Sequence, residues 1–103
     1  MSTTDNNYRA ILMKQKDNVA TALEDIPAEA AVELQTEGMN LTVILREPIA
    51  FGHKFAVRTI AEGEDILKYA EVIGMANRAI QPGEHVHVHN LDGKRGRGDQ
   101  VGA

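Results

Sequence analysis

Ile49-Ala50-Phe51-Gly52, Ile60-Ala61-Glu62-Gly63 and Ile80-Gln81-Pro82-Gly83 repeat one pattern, I-x-x-G, through the second half of the chain. Each copy is followed by a strand-like stretch, HKFAV at 53–57, EDILKY at 64–69 and EHVHVHN at 84–90. A fainter copy, Asp25-Ile26-Pro27-Ala28-Glu29, lacks the glycine. Such a unit buries its isoleucine, reverses direction at a residue free to take positive φ, and launches a strand; Pro82 presets φ for one of the turns. The copies lie 11 and 20 residues apart, which is no solenoid period. The pattern points to a small β structure of short hairpins.

The first half extends this reading. Val32-Glu33-Leu34-Gln35 and Met39-Asn40-Leu41-Thr42-Val43 alternate with period two around the turn Thr36-Glu37-Gly38, so residues 31–46 form a β-hairpin. Pro48 ends its second strand, because proline cannot donate to a ladder. Ala10-Ile11-Leu12-Met13 is a run of strand length. Asp17 precedes Asn18-Val19-Ala20-Thr21-Ala22-Leu23, where a capping carboxylate and an i, i+4 pair of Val19 and Leu23 predict one short helix stopped near Pro27. The expected fold class is mostly β, with that single helix near the N-terminus. Residues 1–8 read as a flexible N-terminus, 9–92 as one domain, and 93–103 as a flexible Gly/Arg-rich tail.

A chain of 103 residues is one domain. Its aromatic content of 4%, from Tyr8, Phe51, Phe55 and Tyr69, leaves the core to Val, Ile, Leu and Ala. That argues against a self-contained enzyme with a deep pocket and favours burial against a partner. The net charge of −4 argues against a general nucleic-acid binder. No apolar run approaches the roughly 18–20 residues that span a bilayer, and the start of the chain has no secretion-signal pattern. A cytoplasmic location is the expectation. With no cysteine, any metal must be held by His, Asp or Glu.

The stretch Glu84-His85-Val86-His87-Val88-His89-Asn90 carries the chemistry. On an extended strand His85, His87 and His89 share one face and Val86 and Val88 the other. Imidazole is the commonest metal ligand and titrates near neutral pH. Alternate residues lie roughly 6.5–7 Å apart and i, i+4 residues about 13 Å apart, so a regular strand offers a metal His85 with His87, or His87 with His89, but not His85 with His89. Further ligands must come from elsewhere; His53 and Glu84 are candidates in the chain, and a second protein is the other source.

Gly52-His53-Lys54-Phe55-Ala56, the segment Ile66–Gly74 (ILKYAEVIG), Gly83–Leu91 (GEHVHVHNL) and the earlier Asp17-Asn18-Val19-Ala20 together resemble the small SAF domain of the altronate/galactarate dehydratase family. The resemblance runs from about Ala10 to Asp92, and GEHVHVHN is its specific part. Ala70 departs from it, since the family commonly has glycine there. The SAF group is also similar to antifreeze proteins and to the C-terminal domain of sialic acid synthases. The resemblance implies a β-clip fold and a role in eliminating water from a sugar acid with a divalent metal, often iron, with manganese or magnesium as alternatives. It further implies a small subunit working with a separate large catalytic dehydratase-like subunit. The small subunit of sulfolactate sulfo-lyase looks similar too, and there the leaving group is sulfite.

Within that reading His87 and His89 are expected to ligate the metal or bind substrate hydroxyls, with the remaining ligands from the partner chain. His85 or His53 is the expected proton donor to the leaving oxygen, and Lys54 pairs with the substrate carboxylate. Arg95 and Arg97, in the tail Gly93–Asp99, are expected to contact the acidic substrate, since guanidinium suits carboxylates. A non-catalytic sugar-acid-binding module is the alternative in a different class. Short edge strands also leave a homo-oligomer open.

Overall fold

The computed structural model describes residues 8–93, and every regular element in it is a strand. The expectations for the N-terminal segment and for the tail, Arg95 and Arg97 included, lie outside the described residues. The strands are β1 (Ala10–Ile11), β2 (Val19–Ala22), β3 (Ala31–Thr36), β4 (Met39–Ile44), β5 (Lys54–Ala56), β6 (Asp65–Lys68), β7 (Glu71–Ala76), β8 (His85–Val86) and β9 (Leu91–Asp92). They form an antiparallel sheet in the order β1-β2-β5-β8, the hairpin β3-β4 and a sheet in the order β6-β7-β9. Among the described residues no helix is long and apolar enough to cross a membrane.

The four I-x-x-G-like turns organise these pieces. Ile26, Ile49, Ile60 and Ile80 are all buried, and they bridge in pairs, Ile26 with Ile49 and Ile60 with Ile80. Each pair exchanges both backbone hydrogen bonds, at 2.9 Å in the first and 2.8 Å in the second. Around each bridge the contacts are reciprocal: Gly52 N–H donates to Ala22 C=O and Glu29 N–H to Leu45 C=O, as Gly83 does to Ala56 and Gly63 to Ala76. The third turn residue has φ of 84° at Gly52, 87° at Gly63 and 89° at Gly83; in the copy without glycine, Glu29 takes 70°. The fainter repeat seen in the sequence is therefore the same turn.

The four-stranded sheet lies between two cores. Ala20, Ala22 and Phe55 face Val32, Leu34 and Val43 of the β3-β4 hairpin, whereas Val19, Ala56 and Val86 pack with Ile60, Ile66, Ala76 and Ile80. Alternation along β3 is strict, with Val32, Leu34 and Thr36 buried and Glu33 and Gln35 exposed. Register runs from Ala31↔Ile44 to Thr36↔Met39, as period two requires.

The helix expected after Asp17 does not form. Residues 19–22 are β2, Val19 is buried, and Leu23, its supposed helical neighbour, is exposed. Asp17 is a cap, but for a distant turn: its buried carboxylate accepts the N–H of Tyr69 at 2.8 Å and of Ala70 at 2.7 Å. Asn18 continues the tie, accepting Leu67 N–H at 2.8 Å and donating to Asp65 C=O at 2.9 Å. A short apolar run fits a helix or a buried strand equally well by periodicity, and here long-range pairing with β5 decides.

The β6-β7 turn that Asp17 holds carries two successive left-handed residues, Tyr69 at φ 56° and Ala70 at φ 65°. A Cβ in this region costs roughly 1 kcal/mol. Ala70→Gly is therefore expected to stabilise the protein by about 1 kcal/mol, read as a higher urea midpoint at unchanged slope. An unchanged or lower midpoint would contradict the turn geometry.

Candidate functional site

His53 precedes β5, and His85 opens β8. The antiparallel register Phe55↔His85 and Lys54↔Val86 sets these two segments side by side. The β8 strand is shorter than the sequence predicts. After Val86 the chain turns through residues 87–90, and Val88 is 77% exposed rather than packed on the core. Asn90 makes this turn. Its buried side chain accepts His87 N–H at 2.9 Å and donates to His85 C=O at 2.8 Å, while Leu91 N–H reaches His87 C=O at 2.9 Å.

Despite the shorter strand, the imidazoles converge. Ring centroids are 5.1 Å apart for His53 and His85, 4.8 Å for His53 and His87, and 5.4 Å for His85 and His87, all stacked. The turn also folds His89 back to 5.3 Å from His85, a pair that a regular strand would hold far apart. His53 Nδ1 and His85 Nε2 are 2.9 Å apart, a hydrogen bond in which one ring donates and the other accepts. Potential ligand nitrogens of His53, His85 and His87 all lie within 4.8 Å of one another, and all three rings are partly accessible. Of the pair expected at a metal, His87 is in this trio and His89 is an exposed neighbour outside it. Glu84 is likewise outside it, its carboxylate turned back to Gln81 N–H at 3.1 Å.

Electrostatics disfavour protonation of His85 and His87. Burial lowers the His85 pKa, followed by the positive charge of neighbouring His53 and His89, with Glu47 opposing. His87 is lowered by loss of water around it and then by His53, Lys54 and His89. Both rings therefore keep free lone pairs below the ordinary imidazole range near 6.5. The unfolded chain binds more protons than the folded one just below that value, so these groups make stability fall as pH drops from about 6.5 through the lowered folded values. In the metal-free chain, denaturation free energy is expected to decline between about pH 7 and 5, and His85→Gln is expected to flatten the decline. An identical pH slope in that variant would contradict the assignment.

Lys54 stands on β5, half-buried, its pKa lowered by burial and then by Lys68. Glu47 accepts His85 N–H at 2.9 Å and helps seat β8. Sequence reasoning missed Asn90 and Glu47 as parts of this region. Asn90 carried a local signal, being a turn-forming residue at the end of the alternation; Glu47 carried none, since the chain's fold alone brings it there.

The profile of the altronate/galactarate dehydratase SAF domain matches residues 8–94. The chain belongs to this family. Among related proteins, this SAF-family chain is 46% identical over 74 residues to the altronate dehydratase of Escherichia coli (strain K12), covering 72% of this chain and 14% of that enzyme. It is 47% identical over 51 residues to the (2R)-sulfolactate sulfo-lyase subunit alpha of Chromohalobacter salexigens, half of this chain and 54% of that one. The (2R)-sulfolactate sulfo-lyase subunit alpha of Paracoccus pantotrophus is 32% identical over 60 residues, 58% of this chain and 90% of that subunit. The SAF-family chain thus spans only a small part of the dehydratase it resembles but nearly all of one sulfo-lyase subunit.

Proposed function

We propose that this SAF-family chain is the small component of a carbon–oxygen lyase that removes water from a sugar acid, acting with a separate large subunit and a divalent metal ion. The observation that carries the reading is the convergence of His53, His85 and His87 on a partly open surface. Three imidazole ligands suit Fe(II) and similar transition ions better than Mg(II), which prefers oxygen ligands. When bound there, such an ion supplies Lewis acidity toward a carboxylate or hydroxyl oxygen. Three ligands and an exposed face leave room for substrate and for groups from a second chain.

Dehydration of a 2,3-dihydroxy acid breaks the C2–H and C3–OH bonds. The C2 proton passes to a base, the electron pair forms the C2–C3 double bond, and hydroxide leaves from C3 with a proton as water. The enol then becomes a 2-keto-3-deoxy acid. With His53, His85 and His87 as ligands, His89 is the imidazole free to protonate the leaving oxygen. The partner supplies the base.

A second reading, a carbon–sulfur lyase acting on sulfolactate, is favoured by the 90% coverage of the Paracoccus subunit. One assay separates the two. The chain is combined with a large dehydratase-type subunit and Fe(II), then supplied with altronate, galactarate and (2R)-sulfolactate. Formation of a 2-keto-3-deoxy acid, lost on His87→Ala, is the expected result. Sulfite release from sulfolactate alone would select the second reading, and turnover indifferent to His87→Ala would overturn both.

A further inference from the structure

His85 opens β8, the last strand of the sheet β1-β2-β5-β8, so one edge of β8 has no neighbouring strand. In an antiparallel ladder the peptide groups of alternate residues point to opposite edges. Glu84 C=O faces β5, where it accepts Ala56 N–H at 3.0 Å, and the N–H and C=O of His85 therefore face the open edge. Two side chains take the place of a strand there. Glu47 Oε2 accepts His85 N–H at 2.9 Å, and Asn90 Nδ2 donates to His85 C=O at 2.8 Å. Both groups are satisfied while the His85 side chain stays partly exposed.

Asn90 does more than close the edge. It is only 2% exposed, and its Oδ1 accepts His87 N–H at 2.9 Å. The amide cannot be turned around, because an N–H can only donate and a carbonyl can only accept. An ionised aspartate would set a second acceptor against His85 C=O, and an apolar residue would leave both backbone groups without this partner. The peptide of Asn90 is fixed from the other side. Its carbonyl accepts Asn77 N–H at 3.1 Å, directly after β7, and Ala76 of β7 pairs with Leu91 of β9. One buried amide thus ties His85 and His87 to each other and to the β6-β7-β9 sheet. Because β8 ends at Val86, no ladder sets His87, and the 5.4 Å stacking of the two rings depends on this amide. We propose that Asn90 and Glu47 are positioning residues: together they hold the peptide of His85, and Asn90 holds that of His87, so that the two imidazoles meet one ion from the arrangement in which they already stack. The assignment rests on the reading of His53, His85 and His87 as a metal site and adds to it the pair of residues that sets its geometry. Neither belongs to the ligand trio itself.

The test uses the full-length chain, isotope-labelled on histidine, as wild type, Asn90→Ser and Gly63→Ala. Gly63→Ala is the control, a substitution at a left-handed turn residue outside the trio. In metal-free wild type, nuclear Overhauser contacts are expected between the rings of His53 and His85 and between those of His85 and His87. Asn90→Ser is expected to lose the second contact, keep the first, and bind Co(II) about 10–100-fold more weakly by calorimetry. Gly63→Ala is expected to keep both contacts and to bind Co(II) within about threefold of wild type. A folded Asn90→Ser that keeps both contacts or wild-type affinity overturns the assignment, as does a wild type without the His85–His87 contact. If Asn90→Ser does not fold, Glu47→Ala carries the test. A loss of about tenfold that Glu47→Gln restores is then expected, since glutamine keeps the acceptor for His85 N–H. Wild-type affinity in Glu47→Ala, or no recovery in Glu47→Gln, overturns the assignment. If the wild type takes up no Co(II), the metal reading fails, and the ring contacts of the metal-free variants still decide the positioning.

Discussion

Gly83→Ala is expected to destabilise the protein by about 3–5 kcal/mol, enough to unfold much of a small domain of ordinary stability. An added Cβ would sit 2.1 Å from the carbonyl oxygen of Ile44 and 3.1 Å from Arg46 N, both backbone atoms, at a residue with φ of 89°. The position is gripped from both sides: Gly83 N–H donates to Ala56 C=O, and its own carbonyl accepts Arg46 N–H at 2.9 Å. Backbone cannot step aside as a flexible side chain can, so the clash adds to the conformational cost. Gly63→Ala provides the comparison. It has nearly the same φ of 87° but no atom within 4 Å of the new Cβ, and it is expected to lose only about 1 kcal/mol. Urea denaturation of the two variants measures the difference. Equal losses would mean that Gly83 is not clamped between β5 and the segment after β4. Because Gly83 leads directly into Glu84 and His85, the same clamp fixes where β8 presents its imidazole.

His85→Ala is expected to lower affinity for a divalent transition ion by at least about 100-fold, since even residues that merely support metal ligands cost 10–100-fold when removed. His85 is central to the cluster: its ring is within 5.4 Å of those of His53, His87 and His89, and it shares the 2.9 Å hydrogen bond with His53. The side chain is partly exposed and its backbone is held independently by Glu47 and Asn90, so the fold survives the substitution. His89→Ala, at an exposed residue outside the trio, is expected to change affinity less than about threefold. Calorimetric titration with Co(II) or Zn(II) checks both. Similar losses for the two variants would contradict the assigned ligand set.

Local signals explain what the sequence revealed. The I-x-x-G turns announce themselves because a type II turn needs positive φ at its third residue, and the Glu29 copy was recognisable from Ile26 and its spacing even without glycine. The β3-β4 hairpin follows from period two alone. Asp17 misled because a capping carboxylate looks the same whether its donors are in the next turn or, as here, some 52–53 residues away. At the site, the His85 and His87 rings stack at 5.4 Å, but not by strand alternation, since β8 ends at Val86; the turn at 87–90 depends on the buried amide of Asn90, and so the exposure of Val88 and the return of His89 were hidden. His53 was a candidate by residue type; its place in the trio comes from the β5-β8 pairing across more than thirty residues of chain, which no local pattern encodes.

X-ray absorption spectroscopy of the full-length chain loaded with one equivalent of Co(II) tests the central claim most directly. Three imidazole nitrogens at about 2.0–2.1 Å are predicted, falling to two in His53→Ala, His85→Ala and His87→Ala and staying at three in His89→Ala. A first shell made of oxygen atoms alone, or one that the His53, His85 and His87 substitutions leave unchanged, would contradict it.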